Sequence, residues 1–165
     1  MEYVGERCMK KLCNFYVSDL HLSVMLLPYI SKQINEDVEI TTIFEKLKKE
    51  NIEIILDKLN VKNKNEILNI NWFNSNQDTY EKIENTIEKS IKENKKVAII
   101  IGGNQNYVVN NNENIVKYLE EKYDMSNVKI IDCYNVEDLN TDMKLIANKY
   151  DGILNTSGET PTKDL

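Results

Sequence analysis

Asp19 and His21 are the two side chains of this sequence whose types and spacing best suit metal chemistry. They lie two residues apart, directly after an apolar and aromatic run that is typical of a β-strand. At this spacing a carboxylate and an imidazole are able to ligate one ion of a two-metal centre, which clamps the attacking and leaving oxygens of a phosphoryl transfer. Such a centre needs many ligands, and His21 is the only histidine of the chain.

The segment Ser18 to Leu22 resembles the first motif of the calcineurin-like metallophosphoesterases, in which an Asp and a later His bind metal. The other motifs of that family need further histidines, and Gly102-Gly103-Asn104-Gln105 has the Gly-Asn of one of them without its histidine. We therefore reject this resemblance. On a helix, Asp19 and His21 would also point to different faces. A packed, hydrogen-bonded His21 is the simpler interpretation.

Three other features have both a structural and a chemical interpretation. Gly102 and Gly103 follow the most apolar run of the chain, where they would allow a close approach to a ligand or, as we favour, make a turn. Cys133 ends a later apolar run without a base nearby in sequence, which favours an inert buried thiol. The chain lacks a Gly-rich phosphate loop and a dinucleotide fingerprint. We assign no catalytic residue, metal site or cofactor.

Hydrophobic periodicity predicts alternating strands and helices. The predicted strands are 13–17, 38–44, 66–72, 97–101, 128–133 and 152–154. The predicted helices are 18–34, 45–59, one that starts near 78 and includes 80–91, one that includes 115–123, and one that starts at Asn135 and includes 139–150. Pro28 predicts a kink or a break in the first helix. The stretch 104–112 is predicted to be a polar loop.

This pattern predicts an α/β fold, a three-layer sandwich with a mostly parallel central sheet of about six strands and about five helices. We expect a single domain over 1–165, with 1–11 and 156–165 as loose ends. Ligands bind such sheets beyond the carboxyl ends of the strands. The candidate ligand-binding residues at those ends are Ser18, Asp19, His21, Gly102, Gly103, Asn104, Cys133 and Tyr134.

Composition excludes several classes of protein. The net charge of −6 and the pI near 5.0 argue against nucleic-acid binding. No apolar run is long enough for a membrane span and no secretory signal is recognisable, which predicts a cytoplasmic protein. Three cysteines, Cys8, Cys13 and Cys133, are then expected to be reduced thiols. Their spacing fits no structural zinc pattern.

The last third of the chain resembles the end of the MEDS (methanogen/methylotroph sensory) domains. The resemblance rests on a strand ending in Ile131-Asp132-Cys133-Tyr134, an acidic turn at 135–139 and a strand at 150–154. The aromatic strand at Phe15-Tyr16 and the glycine-containing strand at 97–103 are similar too. Cys133 and Tyr134 are contiguous here, and 148–150 replaces a late histidine. The resemblance implies a RecA-like fold without a phosphate loop and a role in signalling.

The leading hypothesis is a non-catalytic sensory or regulatory module that binds a partner protein or a small ligand. The alternative is a metal-dependent phosphoesterase-like or nucleotide-handling enzyme that uses Asp19 and His21. A third hypothesis is an oligomerisation subunit, with a homodimer formed through the helix at 20–30. For that dimer, Leu26→Glu should give a monomer, whereas Gly103→Val should block a ligand site at the strand ends.

Overall fold

The computed structural model describes residues 9–74 and 78–162, which form one seven-stranded sheet. The strands are β1 (Lys10–Tyr16), β2 (Glu39–Phe44), β3 (Asn71–Asn74), β4 (Val97–Gly103), β5 (Val128–Asn135), β6 (Gly152–Asn155) and β7 (Gly158–Pro161). Their order across the sheet is β3-β2-β4-β5-β1-β6-β7. The strands from β3 to β6 pair in parallel, and β7 pairs antiparallel with β6.

Helical segments connect the parallel strands. They are α1 (Asp19–Asn35), α2 (Lys49–Leu56), α3 (Lys64–Leu68), α4 (Tyr80–Lys92), α5 (Gln105–Asn111), α6 (Lys117–Lys122) and α7 (Met143–Ala147). A π-helical turn, Asn112–Val116, joins α5 to α6, and a 3-10 turn, Val136–Asp138, follows β5. The predicted class, an α/β three-layer sandwich with a mostly parallel sheet, is confirmed, with one strand more than expected.

The direction of each connection decides which face of the sheet a helix covers. The chain moves from β1 towards the β3 edge and then back towards the β7 edge. With right-handed crossovers, the helices of the two halves fall on opposite faces. Two separate apolar cores agree with this: one contains Leu26, Ile52 and Ile67 from α1, α2 and α3. The other contains Ile87 and Leu119 together with residues of α5 and α7.

β4 is the most buried strand, since all seven of its residues are buried. Both glycines continue the strand and pair with its neighbours, so the predicted turn is wrong. A Cβ on Gly102 would lie 2.6 Å from Cδ1 of Phe44, and one on Gly103 would lie 2.7 Å from Cδ1 of Tyr107. The glycines are therefore required for the close approach of aromatic rings to the strand.

The predicted strand at 66–72 is wrong in its first half. Ile67 and Leu68 belong to the short helix α3, and only Asn71–Asn74 form β3. The apolar residues Ile67, Leu68 and Ile70 suit one helical turn as well as an alternating strand, which is why periodicity misassigned them. Trp72 stabilises the junction, because its Nε1 donates to the carbonyl of Ile67 at 3.0 Å.

The predicted polar loop at 104–112 is also wrong, because α5 starts at Gln105. Asparagine favours loops because its side chain competes for backbone hydrogen bonds. Here the asparagine side chains stabilise the helix instead. The Oδ1 atom of Asn104 accepts from the Tyr107 amide at 2.8 Å, and the Nδ2 atoms of Asn111 and Asn114 donate to carbonyls four residues back.

Several boundaries differ at the ends of the chain. Of the predicted loose ends, Lys10 and Lys11 lie in β1 and residues 158–161 form β7, whereas residues 163–165 lie outside the described residues. The predicted break at Pro28 is wrong, since α1 runs through it with Pro28 exposed to water. The helix expected from Asn135 is reduced to the 3-10 turn and the five residues of α7. Met1 to Cys8, including Cys8 itself, lie outside the described residues.

The helices in the described ranges, 9–74 and 78–162, are too short or too polar to cross a lipid bilayer.

Leu26 and Leu20 differ in burial, and this decides how α1 can be tested for a dimer interface. Leu26 is 1% exposed in the core beneath α1, whereas Leu20 is 61% exposed. We expect Leu26→Glu to unfold the protein, because it buries an unpaired charge, and not to yield a monomer as the sequence hypothesis required. Leu20→Glu should change the unfolding free energy by only about 0.5 kcal/mol. Urea unfolding and sedimentation of both variants test this, and a folded Leu26→Glu monomer would contradict it.

Gly102→Ala provides a test of the packing around β4. The added methyl would overlap the Phe44 ring, so we expect a loss of about 1–3 kcal/mol of unfolding free energy. Phe44→Leu should reduce that loss, because a smaller side chain leaves room for the methyl group. A double-mutant cycle by urea denaturation measures this coupling. Additive effects of the two substitutions would show that the ring is not what excludes the methyl group.

Candidate ligand-binding groove

The predicted candidates at the end of β1 serve the start of α1. The Oγ atom of Ser18 accepts from the His21 amide at 3.1 Å, as expected of an N-cap. His21 Nδ1 in turn accepts from the Val17 amide at 3.0 Å. Asp19 is exposed in the first helical turn. The described part of the chain contains no group of three or more His, Cys, Asp or Glu side chains arranged to hold a metal ion.

The candidates at the end of β4 are engaged in a second local network. The carboxylate of Glu45 accepts from the backbone amide of Asn104 at 3.1 Å and from its Nδ2 at 3.0 Å. A Cβ on Gly103 would lie 2.9 Å from Cβ of Glu45. Gly103→Val would therefore disrupt this contact and the Tyr107 ring beside it. It is not a clean probe of a ligand site.

Cys133 and Tyr134 are adjacent in β5 and point to opposite faces of the sheet. Cys133 is fully buried in the core beneath α1, α2 and α3, and burial raises its thiol pKa well above the usual value. This agrees with the inert thiol expected from the sequence. Tyr134 lies on the other face, where its ring stacks on Phe15 with the centroids 5.8 Å apart. Of all the candidates, Tyr134 alone lines the cavity described next.

A cavity of about 270 Å³ lies over β5, between the α5 and π-turn segment on one side and α7 on the other. We call it the Asp132 groove. It is lined by Lys11, Gln105, Val109, Asn112, Glu113, Asp132, Tyr134, Ile146, Lys149 and Tyr150. Its volume is close to the lower end of the range for small-molecule sites. The groove therefore suits a small ligand.

The carboxylate of Asp132 is the centre of the groove's hydrogen-bond network. Tyr150 donates its hydroxyl to Oδ2 at 2.6 Å, and Asn112 Nδ2 lies 3.0 Å from both carboxylate oxygens. Tyr134 and Tyr150 are joined by a hydrogen bond between their hydroxyls. Asp132 is 3% exposed, and no ion pair with it occurs among the described residues. Neutral donors alone hold this buried acid.

Burial has a strong effect on the titration of this cluster. Removal from water raises the pKa of Asp132 to about 6, although the hydrogen bonds from Tyr150 and Asn112 act in the opposite direction. Burial, followed by the nearby Asp132 charge, raises the pKa of the Tyr134 and Tyr150 phenols above the usual value. Near pH 7 the groove thus presents one largely ionised carboxylate beside two protonated phenols.

The π-helical turn brings Asn112 to the carboxylate. Asn112 is the first residue of that turn, and its Nδ2 also donates to the Val108 carbonyl at 2.9 Å. Single π-turns within α-helices often occur at functional sites, because the wider turn changes the direction of the side chains. Both amide hydrogens of Asn112 are used here. The turn is therefore tied to the floor of the groove.

Gln105 closes one end of the groove. Its Nε2 donates to Thr141 Oγ1 at 3.1 Å, and its Oε1 accepts from the Asn140 amide at 2.8 Å. These two bonds position the segment that leads into α7. Beside Tyr150, Thr162 Oγ1 donates to the Tyr150 carbonyl at 2.7 Å, and the Lys11 amide of β1 donates to Oδ2 of Asp151 at 2.9 Å. Both walls are thus held before any ligand arrives.

Sequence reasoning missed Asp132, Asn112, Gln105 and Tyr150 as site residues. One signal was present: Asp132 interrupts an apolar β-strand at a position whose neighbours Ile130 and Ile131 are buried. An acid at such a position is costly unless it is hydrogen-bonded, so it marks a special environment. Its partners are 20 and 18 residues away in the chain and had no such signal.

Two other cavities are weaker candidates. One of about 540 Å³ lies beside α1 and the β6–β7 turn, but its acid, Glu159, is already paired with Lys10 and Lys129. Another, of about 370 Å³, is a polar cleft near Asn104 and Asp138 at the carboxyl edge of the sheet. Neither contains a buried acid held by neutral groups alone.

Comparison with known proteins adds no name to this site. No protein-family model matches the chain, and no curated protein matches it. The resemblance to the MEDS domains stays a prediction.

Asp132 should make its own contribution to the pH dependence of stability. The pKa of an unfolded aspartate is about 3.9, whereas that of Asp132 in the folded protein is about 6. Between these values the folded protein holds a proton that the unfolded chain has released, so stability falls as the pH rises. The loss should reach about 2–3 kcal/mol and be complete above about pH 6.

Urea unfolding of the wild type and of Asp132→Asn across this pH range measures that contribution as the difference between their free energies of unfolding. The asparagine variant should become progressively more stable relative to the wild type from about pH 4 to about pH 6. Asp57→Asn, on the exposed end of α2, is the matched control and should follow the wild type. A difference that does not change with pH would show that Asp132 titrates normally.

Proposed function

We propose that this chain is a non-catalytic sensory or regulatory α/β module that binds a small ligand in the Asp132 groove. The observation that carries the proposal is a buried carboxylate that is held by uncharged hydrogen-bond donors and lines a small cavity whose walls are fixed in advance. A cavity with a few converging polar groups and a perturbed acid is the usual form of a ligand site. The proposed RecA-like relationship to the MEDS domains and a cytoplasmic location are parts of the same hypothesis.

The chemistry of the lining favours binding over turnover. Among the described residues that line the groove there is no serine, cysteine or histidine. Cys13, which lies opposite Asp132 in the pairing of β1 with β5, is buried, and burial together with the nearby Asp132 charge raises its pKa to about 12. Tyr134 and Tyr150 remain protonated at neutral pH because their pKa values are raised. The residues that line the groove therefore include no nucleophile that Asp132 could activate as a general base.

The enzyme alternative depends on a different part of the molecule. Asp19 and His21 lie at the start of α1, just after β1 ends. The Nδ1 atom of His21 accepts a hydrogen bond from the Val17 amide. No observation favours that alternative over the groove. Partner binding and a homodimer through the helix at 20–30 stay predictions.

Thermal unfolding against a metabolite library tests the proposal. A ligand at 100 times its dissociation constant adds about 2.7 kcal/mol, or roughly 5–11 °C for a chain of this size. Val109→Trp should abolish the shift, because it places a large ring over the mouth at a site that is 42% exposed. Val24→Trp, at 40% exposure on α1, is the matched control and should retain it.

Recovery of the ligand separates a sensor from an enzyme. Mass spectrometry of a ligand incubated with the protein should show it unchanged. A library without any shift, or a shift that survives Val109→Trp, would contradict binding in the groove. Conversion of the ligand that is lost in Asp19→Ala would favour the enzyme alternative.

A further inference from the structure

The carboxylate of Asp132 has room for one more hydrogen bond. An ionised carboxylate offers about four acceptor positions. Asn112 Nδ2 contacts both oxygens and Tyr150 occupies a further position on Oδ2. The acid also lines the cavity, so a ligand that enters the groove meets it directly. A donor on that ligand would complete the set of partners.

Little positive charge balances the Asp132 carboxylate. The hydrogen-bond partners of Asp132 are uncharged. Lys11, whose positive charge acts to lower the pKa of Asp132, is exposed, and its Nζ atom lies 4.0 Å from Oε1 of Glu120. Because the effective dielectric constant is low around buried groups, an added positive charge would interact with Asp132 more strongly than in water. The groove therefore favours a cationic donor over a neutral one.

The rest of the lining limits the shape and the charge of the ligand. The Tyr134 and Tyr150 rings meet edge to face with their centroids 6.3 Å apart, and Val109 and Ile146 add apolar surface. These walls suit a flat apolar body. Lys11 and Lys149 line the exposed part of the groove together with the single acid Glu113. A second positive charge on the ligand would lie near these lysines and be repelled.

We propose that the Asp132 groove binds an arylalkylamine, with its protonated amine on the Asp132 carboxylate and its ring against Tyr150, Val109 and Ile146. The amine and the ionised carboxylate carry opposite charges, so ion pairing strengthens their hydrogen bond, and a neutral hydroxyl donor lacks this contribution. The ring remains in the apolar part of the groove. This inference rests on the proposed function, since it names the ligand class of the same site.

Isothermal titration calorimetry with four related compounds tests the inference at pH 7.5. Tyramine is the probe, tyrosol replaces its amine by a hydroxyl, 4-hydroxyphenylacetate replaces it by a carboxylate, and cadaverine is a diamine without a ring. Tyramine should bind the wild type about tenfold or more tightly than tyrosol. The anion and the diamine should bind more weakly than tyramine.

Substitutions then assign the preference to Asp132. Asp132→Asn removes the charge at nearly constant shape and should weaken tyramine about tenfold and tyrosol by less, because the uncharged hydroxyl of tyrosol loses no ion pair. Asp57→Asn is the exposed control and should leave both affinities unchanged. If Asp132→Asn fails to fold, the comparison of tyramine with tyrosol on the wild type still decides the question.

Failure of this inference is distinguishable from failure of the proposed function. Tyramine binding no tighter than tyrosol, or undetectable binding of tyramine, would overturn the amine class. If tyrosol or 4-hydroxyphenylacetate still binds and Val109→Trp abolishes that binding, the groove remains a ligand site of another class. If Val109→Trp leaves tyramine binding intact, the amine binds elsewhere and the inference is wrong.

Discussion

A carboxylate that is removed from water and held by uncharged hydrogen-bond donors is the constraint on which one side of this sheet depends. Asp132 lies within β5, and burial of its charge would be costly without donors. Asn112 supplies one donor from the π-helical turn, and Tyr150 supplies another from the segment after α7. Because these donors come from both sides of β5, the same bonds that satisfy the acid also hold the walls of the groove.

The site arises from the alternation of side chains along one strand. Ile131 and Cys133 point into the core beneath α1, whereas Tyr134 points to the face covered by α5 and α7. Asp132, which lines the groove with Tyr134, belongs to that second face. A ligand there would lie between helices rather than beyond the strand ends. At those ends, Ser18 and Asn104 are already used to cap helices.

Local patterns predicted the elements that are either strongly periodic or apolar on both faces. The predicted helix that includes 80–91 and the predicted strand at 97–101 are of this kind, and the structure has both. Patterns failed where side chains replace backbone partners. The asparagines of 104–112 favour a loop by propensity, but Asn104 caps α5, where its Oδ1 accepts from the Tyr107 amide. Such a choice depends on packing, which a local pattern does not contain.

The sequence by itself determined the class of fold, because the order of apolar segments allows only helices on both faces of a parallel sheet. It also places an acid, Asp132, within an apolar strand, a signal that the sequence prediction of the site did not use. Only the tertiary structure decided that Asp132 meets Asn112 and Tyr150 and that a cavity remains beside them. Those contacts join residues 18 and 20 positions apart, and they depend on how α5 and α7 pack against β5. No local propensity specifies such an arrangement.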